Sequence, residues 1–145
     1  MKNIIVVIAL LVLGLQACTN EPDFEVVRKE VLDAHDKIMM DGELAINNKM
    51  KLDTIATSLD SLSKIKVISD QLSALKKINM LRAKLNHADE QMNEWMHHFK
   101  ADLEGKSNQE AMDYFVSEKA KIKSLDSLYQ VANKESAIYL LKFMK

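Results

Sequence analysis

Apolar residues are laid out in two ways along this chain. From Ile4 to Leu15 they form an unbroken run, and from Phe24 onward they recur at helical intervals among polar and charged positions. In the second regime a first stripe places Phe24, Val31, Ile38, Ala45, Leu52 and Leu59 seven residues apart, flanked by Val27, Ala34, Ile55 and Leu62. Seven residues return a side chain to the same face after two turns, so this spacing marks a seam for packing on other helices. A second stripe alternates steps of three and four through Leu75, Ile78, Leu81, Leu85, Ala88, Met92, Trp95, Phe99 and Leu103, then meets Gly105, where a left-handed cap would end it. Ser107, Asn108, Gln109 and Glu110 read as a capping box, in which hydroxyl and carboxylate each satisfy an orphan amide at a helix start. That box opens a third stripe of Phe115, Ile122, Leu125, Tyr129, Ala132, Tyr139 and Phe143.

The pattern predicts helices over about 22–57, 66–104 and 107–143, with Pro22 in the first turn of the first. The second and third form an antiparallel hairpin. The join between the first two is less marked, because Thr57, Ser58, Asp60, Ser61, Ser63, Ser69 and Asp70 all suit a helix start and no Gly or Pro lies among them; a break in 58–66 is favoured. No strand-like alternation bounded by turn residues occurs. An all-α, up-down-up antiparallel three-helix bundle is the simplest arrangement that buries all three stripes, with helices of roughly 35 residues and about 50 Å. A long coiled-coil dimer is the alternative.

The unbroken run has a different meaning. Lys2, twelve apolar residues and then Gln16, Ala17 and Cys18 follow the plan of a secretory signal peptide, and twelve fall short of the roughly 20 needed to span a bilayer. Leu15, Gln16, Ala17 and Cys18 resemble the bacterial lipobox. That resemblance implies cleavage before Cys18, lipidation of its thiol with acyl chains such as palmitate, and residence in the cell envelope, on the outer membrane by preference, facing periplasm or cell surface. The division is then a signal peptide over 1–17 and one helical domain over 18–145.

Without the signal, nineteen basic residues face twenty-one acidic ones, a net charge of −2, which offers no global attraction to nucleic acid or anionic lipid. With the sole cysteine committed to lipid, no internal disulfide is available and packing must supply the stability. Residues 19–60 carry a net −5 and residues 61–145 a net +3, so acidic and basic helices are expected to meet across the bundle.

Folding at residue 62 sets positions adding to about 125 opposite each other, which gathers His35, Met39, Met92, Met96 and His98 with Trp95 at one end of the bundle. Imidazole and thioether are ligands for Cu(I), and an indole beside them is similar in chemistry to periplasmic copper carriers that cap the metal with a tryptophan. The favoured reading is plainer: methionine is an adaptable core filler, and Trp95 sits on the packing stripe. His87, Gln91, Glu94 and His98 form a line that reads as a solvated face. With no HExxH, paired cysteines, glycine-rich phosphate loop or CxxCH, each enzyme and haem template fails, and no catalytic activity is expected.

The segments from Ala34 to Glu43 and from His87 to Phe99, together with the lipobox, resemble small helical lipoproteins of flavobacteria and their relatives, often labelled viral A-type inclusion protein. The resemblance implies a lipid-anchored helical envelope protein and carries no activity with it. Relatives tend to have proline where this chain has Met40. The expectation is therefore a helical binding or structural module with a membrane anchor and a protein partner in the envelope, the alternative being a soft-metal (copper) binding protein.

Overall fold

The computed structural model describes residues 23–143. The expected signal peptide, Cys18 and Pro22 lie outside the described residues. Within them the chain is all-helical, with four helices packing together and no strand: α1 (Phe24–Thr57), α2 (Leu59–Lys64), α3 (Gln71–His98) and α4 (Asn108–Leu140), followed by a 3-10 turn over Leu141–Phe143.

Each long helix starts on a residue whose side chain satisfies a free amide. The Glu25 amide donates to Asp23 Oδ1 at 3.0 Å ahead of α1, and the Ser73 amide to Asp70 Oδ1 at 3.0 Å ahead of α3. At α4 both halves of the capping box form: the Glu110 amide donates to Ser107 Oγ at 3.3 Å, and the Ser107 amide to Glu110 Oε2 at 3.0 Å.

Cross-helix pairs give the directions. Lys119 meets Glu30 at 2.6 Å and Lys37 meets Asp126, so numbering rises together along α1 and α4. Lys49 donates to Asn86 at 2.9 Å and Arg82 pairs with Asp53 at 2.8 Å, so α3 runs against α1; it also runs against α4, where Lys84 meets Glu135 at 2.7 Å. The α1–α3 pairs add to 135 rather than about 125. Helix continues past Ser58 as α2, and reversal falls over 65–70, later than the favoured 58–66. The reason is a helix end made without glycine. The Lys66 amide donates to the Ser63 carbonyl at 3.0 Å and the Val67 amide to that of Leu62 at 2.9 Å, while Lys66 takes the left-handed conformation at φ 59.

The second difference is at the end of α3. The helix stops at His98, well before Gly105, because Phe99 turns to extended backbone at φ −67, ψ 131. Its ring stacks on Trp95 at 4.6 Å, and the next amide, Lys100, donates to the Tyr114 hydroxyl at 2.7 Å. Gly105 instead occupies a left-handed position, φ 80, inside the 99–107 connection. Packing of a half-buried aromatic ring on Trp95 thus takes the place of two more turns of amphipathic helix.

The core follows the stripes. Val31, Ile38, Ala45 and Leu52 from α1, Ile78, Leu81, Leu85 and Ala88 from α3, and Phe115 and Ile122 from α4 are almost fully buried. Leu75, assigned to the second stripe, is partly exposed. Polar residues also occupy core positions: Asn48, Glu118, Asn133 and Ser136 are buried. Asn48 Nδ2 donates to Asn133 Oδ1 at 3.1 Å, and Asn133 Nδ2 to the Asp41 carbonyl at 2.8 Å, which ties the middle of α1 to α4.

Candidate functional site

Two pairs of candidate ligands, each one helical turn apart, lie on two antiparallel helices. His35 and Met39 lie on α1, Met92 and Met96 on α3. Met39, Met92 and Met96 line one hollow of about 280 Å³ between these helices, with Glu43 and Asp89 at its sides and the Tyr129 ring of α4 reaching into it. Met92 forms its inner wall at 2% exposure, whereas Met39 and Met96 are 45% and 38% exposed. Core packing, the favoured reading for these methionines, therefore holds for Met92 and fails for the other two. The i, i+4 spacing that aligns them with the stripe also carries them to its rim.

Tyr129 fixes the depth of the hollow. Its hydroxyl donates to Asp89 Oδ1 at 2.7 Å, and its ring lies where a Cβ on Gly42 would meet it at 3.7 to 3.9 Å. Burial first, and then the Asp89 carboxylate, push the phenol well above its ordinary range, so it stays protonated as a fixed donor.

Trp95 points from the same turn of α3 into the core. It is 7% exposed, and its indole N–H donates to Glu118 Oε2 at 2.7 Å. Glu118 is buried itself, and Lys121 reaches its other oxygen from the surface at 2.7 Å. On the α1 side the His35 ring lies 6.0 Å from the indole, with Nδ1 3.0 Å from Asp36 Oδ1. Phe99, Phe115, Tyr114 and Phe24 continue the ring cluster toward the end of the bundle where α1 begins, Phe24 stacking on Phe115 at 5.9 Å.

Of the five proposed ligands the structure brings only the three methionines to the α1–α3 hollow; His35 lies beside the Trp95 indole and outside the lining. His98 lines a different hollow, between α3 and α4, with Gln91, Glu94 and Lys121. Its Nδ1 is 2.9 Å from the Glu94 carbonyl, and its side chain is largely exposed. His87 lies farther along the α3–α4 side. Among the described residues no three His, Cys, Asp or Glu side chains come together as a metal-binding group, and no helix is long and apolar enough to cross a membrane. Cys18, the expected lipidation position, lies outside the described residues.

Sequence reasoning missed Glu118 and the Tyr129–Asp89 pair. A signal for Glu118 was present: steps of three and four run 115, 118, 122, 125, 129, 132, 136, 139, so Glu118 and Ser136 occupy stripe positions that a purely apolar reading skips. Comparison with known protein families, curated proteins and solved structures finds no match to this chain.

Proposed function

We propose that this protein is a membrane-anchored lipoprotein of the cell envelope, held by acyl chains on Cys18, whose helical domain is a non-catalytic binding or structural module. The observation that carries this reading is the short distance between the lipobox and the bundle. Only four residues separate Cys18 from Asp23, the N-cap of α1, and the five residue steps between them span at most about 18 Å when fully extended. A lipidated Cys18 therefore holds the start of α1, with its aromatic cluster, close to the membrane. Two or more acyl chains suffice for stable anchoring. The likeness to flavobacterial helical lipoproteins belongs to the same reading.

On this account the architecture is an up-down-up three-helix bundle in which α2 extends the first helix into the turn. The 34 residues of α1 then carry the turn about 50 Å from the anchored end. That far end exposes Ile65, Val67 and Leu72 beside Lys64 and Lys66, an apolar patch with a basic border that suits a protein partner in the envelope.

The test is metabolic acyl labelling. Wild-type protein should incorporate labelled palmitate, and Cys18→Ala should lose the label and accumulate as unprocessed precursor. Labelling that persists unchanged in Cys18→Ala contradicts the proposal.

A further inference from the structure

We propose that the hollow between α1 and α3 is a Cu(I) site, in which the thioethers of Met39, Met92 and Met96 hold the ion. The site needs nothing from the lipid anchor, and its failure leaves the anchoring proposal intact.

Three of the chain's nine methionines converge on this one hollow. A methionine used as core filler is buried; here one wall is buried and two thioethers stand open to solvent around it. Thioether sulfur is a neutral, polarisable donor that discriminates against Ca²⁺, Mg²⁺ and Mn²⁺ and favours Cu(I). Neutral ligands leave the positive charge of the ion uncompensated, and the lining supplies what is missing: Glu43 and Asp89 are acidic, and no Lys or Arg borders the hollow. Asp89 is held in place by the Tyr129 hydroxyl at 2.7 Å.

Trp95 lies between Met92 and Met96 in sequence, so the chain's sole tryptophan reports on ligation by the thioethers that flank it.

The experiment uses the full chain carrying Cys18→Ala in detergent micelles, so that no thiol competes for copper. Cu(I) is presented with the chromophoric chelator bicinchoninate under anaerobic reducing conditions. The expected result is withdrawal of one equivalent from the chelator, with Trp95 fluorescence falling in parallel and levelling at the same equivalent. Adding Met39→Leu and Met96→Leu, at exposed positions where a volume-conserving change spares the core, should abolish both signals while the helical circular dichroism stays unchanged. His35→Gln, and Met50→Leu with Met80→Leu, should leave transfer intact. Copper that stays with the chelator overturns the proposal. So does transfer that survives Met39→Leu with Met96→Leu but is lost with His97→Ala and His98→Ala.

Discussion

Trp95 shows how one side chain can serve packing and polarity together. Its ring fills the space between α3, α4 and His35, and its N–H satisfies one oxygen of the buried Glu118 carboxylate. Trp95→Ala removes both and should cost about 3 to 5 kcal/mol in urea unfolding, the range for deleting a buried aromatic. Trp95→Phe keeps most of the ring and orphans only the carboxylate oxygen, at about 1 to 3 kcal/mol. Near-wild-type stability of Trp95→Ala would move the residue from core to binding surface. Its burial was legible because the residue falls on an unbroken run of three- and four-residue steps. The hydrogen bond to Glu118 was not, because a glutamate on a helix reads as solvated until a partner from another helix closes over it. Met39 and Met96 mark the same limit: period alone does not separate the middle of a stripe from its rim.

Helix boundaries follow local chemistry where a capping side chain sets them and tertiary packing where none does. The start of α4 was readable from Ser107 and Glu110, which form the full capping box. The ends of α2 and α3 were not, since one uses Lys66 where glycine is usual and the other is set by the docking of Phe99. The capping box makes the stability of α4 depend on acid. Lys106 first, then the Ser107 amide and hydroxyl, hold the Glu110 carboxyl at about 2, down from 4.5. A carboxylate with a depressed pKa contributes stability that is complete above its unfolded value and is lost as pH falls through the folded one. The stability difference between wild type and Glu110→Gln should therefore be constant above pH about 5 and shrink between about 4.5 and 2, followed by urea unfolding at a series of pH values. A difference that does not change over that window would show that the exposed box contributes nothing through its charge.

For the molecule as a whole, the expected meeting of an acidic first helix with basic later ones is realised only in part. Glu30 with Lys119 and Asp53 with Arg82 follow it, while Lys37 with Asp126 reverses it. These pairs are largely exposed, each contributing about 0.2 to 1 kcal/mol, so orientation rests on the buried seams and on the Asn48–Asn133 link more than on net charge. The helical class was legible because three stripes of one period leave no alternative element. The candidate site of Met39, Met92 and Met96 was less so, because it depends on which rim residues two antiparallel helices bring together. The central claim, a helical module tethered at Cys18, is tested most directly by the intact mass of the protein extracted from its native membranes. The account predicts a chain that begins at Cys18 and carries acyl mass on that residue; a chain that begins at Met1 with an unmodified Cys18 would contradict it.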